Sequence, residues 1–232
     1  MSKHSILTKI AFLSVSFMLT SAYAIQGALP QMKSALNITQ TQSEYLATTP
    51  SFAVMFFVIL SPFIASYFHL TEKKVIMTGL FITGFTGIVP FFTNDYLIIL
   101  ISRFFLGAGL GLYNSQAISM ISAWYQNHER SSMLGWRAAA EQIGQAFTLL
   151  VAGALLSVDW HASFLVYFLS FAILILFYWR VPEENAVKKP AALDRPASAK
   201  NDFEVEKISP MVYVLVIFAF ILVVDFVGME IV

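Results

Sequence analysis

Apolar residues run through this sequence in blocks of about twenty, separated by short polar breaks. Seven blocks are long enough to cross a bilayer as helices: residues 6–29, 46–68, 75–92, 96–124, 132–156, 161–178 and 210–232. The third and sixth are at the short end, and the fourth is long enough to tilt. None shows the ten-residue alternation of a membrane β-barrel. Helices are then the spanning structure that satisfies its own backbone hydrogen bonds in lipid. The predicted fold class is all-α: a polytopic membrane protein with a six-helix bundle and a seventh helix. The first block follows Lys3 and Lys9 and ends Ala22-Tyr23-Ala24, a pattern that a cleaved signal peptide also shows. It stays apolar to Leu29, however, and six more blocks follow, so a first membrane helix is the preferred reading.

One connection differs from the rest. Residues 181–209 are polar, charged and rich in Pro and Ala, as a solvated linker is. The expected organisation is a six-helix bundle over 1–180, a cytoplasmic linker over 181–209 and a seventh helix over 210–232. A linker leading to a single helix suggests a chain cut short at the start of a second half. Within the six, spans one to three and four to six form two sets. Each set crosses an odd number of times, so the second is inverted relative to the first, as in many secondary transporters.

Composition removes other classes. Hydrophobic residues make up 58% of the chain and charged ones 12%, about half of the roughly 25% found in soluble domains. The sequence has 22 Phe, zero net charge and no Cys. That excludes an ordinary soluble enzyme, a disordered chain, a disulfide framework and a cysteine nucleophile, and it gives no basic face for nucleic acid. His4, His69, His128 and His161 fall at or outside the interfaces without ligand spacing, so no metal is expected. No Walker phosphate loop, nucleophile elbow or dinucleotide fingerprint occurs, and no cofactor is expected.

With a cytoplasmic N-terminus, the inside segments hold Lys3, Lys9, Lys73, Lys74, Arg130, Arg180, Lys188, Lys189, Arg195, Lys200 and Lys207, and the outside segments only Lys33. That asymmetry sets the expected orientation in a cytoplasmic membrane.

Charges placed inside the bilayer carry the sharpest functional signal. Each costs about 2.5–3.5 kcal/mol at a helix centre and persists when it faces a cavity or a partner. Arg103 lies about 12 Å below the outer surface at 1.5 Å per residue and shares an i+4 stripe with Gly107, Gly111 and Ser115. It suits anion binding or proton transfer, or simply bonds backbone carbonyls. Glu141 lies near mid-membrane, with Arg137 and Gln145 one turn away on either side. Burial raises a carboxyl pKa and a neighbouring Arg lowers it, so Glu141 could load and release a proton; alternatively the Arg137–Glu141 pair only neutralises two charges. Asp225, deep in the seventh span, could face the same cavity. Tyr113, Asn114, Ser115, Gln116 and Gln26 are polar enough to bind substrate or to glue helices. Ala140, Gly144, Thr148 and Ala152 form a packing stripe. Pro62 and Pro90 are expected to kink spans two and three.

Several motifs occur in a familiar order. Arg103-Phe104-Phe105-Leu106-Gly107-Ala108-Gly109 in span four, Asn127-His128-Glu129-Arg130 with Gly135 before span five, Trp160-His161-Ala162-Ser163-Phe164 opening span six, and Val181-Pro182-Glu183 after it together resemble the major facilitator superfamily. Two motifs depart from that family. In its cytoplasmic motif after span two, His69 stands where Asp is expected and Glu72 where Gly is, with the basic pair Lys73-Lys74 retained. In span five, Ala140-Glu141-Gln142-Ile143-Gly144-Gln145 lacks the Pro of the drug–proton antiporter motif. The resemblance implies a six-helix bundle of the major facilitator type and a secondary transporter. Substrate and proton would pass Arg103, Arg137, Glu141, Asn114 and Asp225, with a cytoplasmic gate at Lys73, Lys74, Glu129 and Arg130. The implied partners are a small-molecule substrate, a coupling ion such as a proton, and the lipid bilayer. A seven-helix receptor is the alternative, and an intramembrane enzyme, pairing Glu141 with Asp225, is a more distant one.

Overall fold

The structure is a computed structural model in which residues 6–182 are described; the expected seventh span, Asp225 and most of the linker lie outside them. The described residues belong to one compact unit, Met1–Val187. Seven α-helices follow in order: α1 Ile6–Phe17, α2 Leu29–Leu36, α3 Gln40–Tyr67, α4 Glu72–Ile88, α5 Tyr96–Trp124, α6 Asn127–Leu156 and α7 Phe168–Arg180. Short 3-10 segments lie at Ser21–Ile25, Val89–Phe91 and His161–Tyr167. No strand occurs among the described residues.

Five of the helical stretches are long and apolar enough to cross a membrane: Gln40–Tyr67, Glu72–Phe91, Tyr96–Trp124, Asn127–Leu156 and His161–Arg180. The first span departs from expectation. It is not one helix over 6–29 but α1, a turn at residues 18–20, the 3-10 segment and then the short α2 outside it. Around the turn, Met18 bonds back to Val15, Leu19 to Ser16 and Ser21 to Met18, the i→i−3 pattern of a helix tightening as it breaks. Pro90 also acts differently from the expected kink: α4 ends at Ile88 and Pro90 opens a 3-10 turn. Pro62 lies inside α3, as does Pro50.

Helix ends are capped locally. Thr39 and Gln42 form a reciprocal capping box at the start of α3, and Thr71 and Asp95 accept backbone N–H groups at the starts of α4 and α5.

The packing order repeats. Span two and span three both lie along span four; span five and span six both lie along span one; span three meets span six. Exchanging spans one, two and three for four, five and six maps these contacts onto themselves, which is the signature of two three-helix repeats. Small residues bring the axes together, as in membrane interfaces generally. A Cβ on Gly107 would lie 2.2 Å from the Pro50 carbonyl of α3, and one on Gly109 would lie 2.7 Å from the Gly79 carbonyl of α4. α5 is therefore the innermost helix. α3 and α6 instead turn rows of apolar side chains outward, Phe52, Phe56, Ile59 and Phe63 on one and Trp136, Ile143, Phe147 and Leu150 on the other. An exposed face this apolar is the face that a bilayer solvates.

Candidate functional site

A cavity of about 220 Å³ opens between four spans. Leu19, Thr20, Ala22 and Tyr23 line it from the broken first span, Ser51 and Val54 from α3, Leu110 and Asn114 from α5, and Glu141 from α6. Two residues selected from sequence, Asn114 and Glu141, thus face one space. Arg137 stands behind them. Its guanidinium donates a hydrogen bond to the Asn114 side-chain carbonyl and lies 3.9 Å from the Glu141 carboxylate one turn along α6. Both members of the ion pair keep part of their side chains open, 13% and 23%.

The break in the first span forms one wall of this cavity. Thr20 Oγ1 donates to the Glu141 backbone carbonyl at 3.3 Å. The backbone of Phe17 lies directly on Gly144: a Cβ there would come within 2.0 Å of the Phe17 carbonyl oxygen. The stripe Gly144, Thr148 and Ala152 is buried, and its role is packing.

Arg103 is elsewhere. It is completely buried, with its guanidinium 4.8 Å from the Phe164 ring centre and 5.5 Å from that of Tyr167. Nη1 donates to the Tyr167 hydroxyl at 3.0 Å, and that hydroxyl donates to the Ser21 carbonyl at 2.7 Å. Nε and Nη2 find no acceptor among the described residues. The expected face shared with Gly107 and Gly111 is split: the glycines pack on α3, while the arginine reaches to span six. Arg103 is therefore connected to the cavity through Tyr167 and the first span, and does not line it.

Gln116 serves as glue. It donates to Ser61 Oγ at 3.0 Å, and Ser61 donates to the Leu112 carbonyl at 2.9 Å, joining α5 to α3. Gln26 is exposed.

The sequence profile of the Major Facilitator Superfamily matches residues 11–231. The chain belongs to the Major Facilitator Superfamily. It is 25% identical over 181 residues to protein spinster homolog 1 of Xenopus laevis, an alignment covering 75% of this chain and 34% of that protein. Its fold is similar to that of the proton:xylose symporter XylE bound to 6-bromo-6-deoxy-D-glucose, with a TM-score of 0.65 at 15% identity over 76% of this chain and 44% of the other. The chain thus spans about a third of the length of the curated relative and under half of the symporter.

At the end of the bundle where α1 and α6 begin, the family's motif positions hold helices together. Lys9 Nζ donates to Glu129 Oε1 at 2.6 Å, tying α1 to α6 beside Tyr125, whose ring lies 5.4 Å from the same ammonium. Burial, helped by the Glu129 charge, raises the Tyr125 pKa above its ordinary value. His69 adopts a left-handed backbone, φ 50°, and closes α3 with its amide bonded to the Ser66 carbonyl. Glu72, where the family has Gly, accepts from Ser119 Oγ at 2.8 Å and so links α4 to α5. Lys73 is buried and donates to the Tyr178 carbonyl at 3.0 Å, capping the end of α7. Lys74 and Arg130 are exposed.

At the opposite end, His161 lies 3.0 Å from Asp159 through Nδ1 and 2.8 Å from Asn94 through Nε2, and stacks on Trp160 at 3.6 Å. The His161 hydrogen bond draws the Asp159 pKa below its ordinary value. No His, Asp and Glu group able to hold a metal occurs among the described residues.

Proposed function

We propose that this chain supplies the substrate-binding bundle of a secondary transporter that moves a small solute by alternating access, with Glu141 as the proton-carrying group. The carrying observation is the convergence of Asn114, Glu141 and the broken first span on one cavity, with Arg137 placed to neutralise Glu141 when it ionises. Family membership and the likeness to a proton symporter support transport as the class of activity. The cavity's polar lining, Thr20, Tyr23, Ser51, Asn114 and Glu141, suits a polar solute. At about 220 Å³ it is smaller than the roughly 300–1,000 Å³ of a complete ligand site. In this reading residues 1–180 are the bundle, 181–209 the linker and 210–232 a seventh helix, with Asp225 kept as a pathway candidate outside the described residues. The exposed Lys74 and Arg130, with the Lys9–Glu129 pair, mark the gate on the cytoplasmic side of a cell membrane, with the N-terminus inside.

Thermal stabilisation of the chain in lipid nanodiscs tests the reading. Monosaccharides, organic amines and short carboxylates are added in turn at pH 5.5 and 7.5. A ligand of this cavity raises the midpoint of the parent chain by mass action and fails to do so for Asn114→Ala, and its pH dependence disappears in Glu141→Gln. A ligand that stabilises parent and both variants alike binds elsewhere and defeats the proposal.

A further inference from the structure

We propose that Tyr167 is a positioning residue for the cavity: its hydroxyl holds the break in the first span, and thereby fixes the wall carrying Leu19, Thr20, Ala22 and Tyr23. The inference rests on reading that cavity as the binding site, but its test needs no ligand.

Three observations converge on this side chain. Tyr167 is fully buried, and its hydroxyl donates to Ser21 at 2.7 Å. Ser21 opens the 3-10 segment, so the contact falls where the helix has just stopped using its own hydrogen bonds. Second, the ring is pinned from both sides. Arg103 donates to the hydroxyl at 3.0 Å from α5. From α4, Gly87 leaves a space that the ring fills: a Cβ at Gly87 would lie 2.3 Å from Tyr167 Cγ. Third, the residues on either side of Ser21, Thr20 and Ala22, both line the cavity. A shift of the Ser21 carbonyl therefore moves the wall. On the far side, Gly144 lies against Phe17 and the Glu141 carbonyl accepts from Thr20. The break is clamped between span five and span six, and Tyr167 is the span-six half of the clamp.

The chain has no cysteine, so single cysteines can be labelled without background. Ala22→Cys reports the braced wall and Ser51→Cys the opposite wall, on α3. Both are placed in the parent and in Tyr167→Phe, which keeps the ring and removes the hydroxyl. Labelling with a membrane-impermeant methanethiosulfonate in nanodiscs is expected to speed up about tenfold at position 22, the shift expected when one buried hydrogen bond restraining a segment is lost. The rate at position 51 stays at the parent value. An unchanged rate at position 22, or equal acceleration at 51, overturns the proposal. Should Tyr167→Phe fail to fold, Gly87→Ala displaces the same ring and is read by the same two outcomes. Absence of any ligand would defeat the transport reading while leaving the labelling result intact.

Discussion

Arg137 lies 3.9 Å from Glu141 on its own helix, yet gives its hydrogen bond to Asn114 on a different one. The arginine is thus shared between a carboxylate on its own helix and an amide on α5.

That sharing predicts a coupling between α5 and α6. Asn114→Ala and Arg137→Gln are each expected to destabilise the bundle, and together by less than their sum, with an interaction energy of about 1–2 kcal/mol for a charge-assisted hydrogen bond at a partly open site. A double-mutant cycle of unfolding midpoints in nanodiscs measures it; additive losses would show that the contact contributes nothing.

Glycine positions should separate sharply. At Gly144 a side chain would meet the backbone of Phe17 at 2.0–2.7 Å, whereas at Gly135 and Gly153 nothing lies within 4 Å. Gly144→Ala is expected to cost about 1–3 kcal/mol, as overpacking does. Gly135→Ala and Gly153→Ala should be neutral or gain up to about 1 kcal/mol from helix propensity. Thermal midpoints of the three variants decide it, and equal behaviour would contradict the close contact of the break with α6.

The Asp159–His161 pair carries a pH signature. The folded chain favours the ionised Asp159 through the His161 hydrogen bond, so its pKa lies below the ordinary value of 3.8. The folded state then holds fewer protons than the unfolded one between those two values. Its contribution is present above pH 3.8 and is lost as pH falls through the lower folded value. Asp159→Asn should flatten this part of the stability profile and leave the neutral range unchanged. Because Trp160 stacks on His161 at 3.6 Å, its fluorescence during acid titration is a direct monitor of the cluster.

Most of the bundle could be read from periodicity and composition. Span four was expected at 96–124 from its apolar run and α5 is Tyr96–Trp124, with Asp95 found to cap its start. The first span was misread as continuous. Nothing in the sequence between Met18 and Ser21 breaks a helix by itself; the groups that meet the broken segment, Gly144 against Phe17 and the Tyr167 hydroxyl on Ser21, lie more than a hundred residues away. Asn114 and Glu141 were legible because polar groups at mid-membrane are costly and conspicuous. Tyr167 was missed for the converse reason. A tyrosine in the apolar run Phe164-Leu165-Val166-Tyr167-Phe168 has the sequence pattern of an interfacial or core ring, and only the placement of Arg103 and Ser21 beside it gives the hydroxyl a task.

The Gln116–Ser61 contact offers a test of how such buried polar groups act. Ser61 is fully buried and Gln116 nearly so; the glutamine donates to the serine, and the serine to the Leu112 carbonyl. Ser61→Ala removes one acceptor and one donor, leaving the Gln116 amide without a partner in an apolar setting, a loss of about 1–3 kcal/mol. Removing both groups as Ser61→Ala with Gln116→Leu exchanges the polar pair for apolar surface of similar shape, and the cost should fall to near zero, since interhelical hydrogen bonds in membranes average only about 0.6 kcal/mol. The expected order is therefore inverted from simple counting: the single variant Ser61→Ala melts lower than the double variant. Unfolding midpoints of the parent, the two single variants and the double variant in the same lipid decide between the two, and a double variant that melts lowest of all would mean that the pair holds α3 to α5 in its own right.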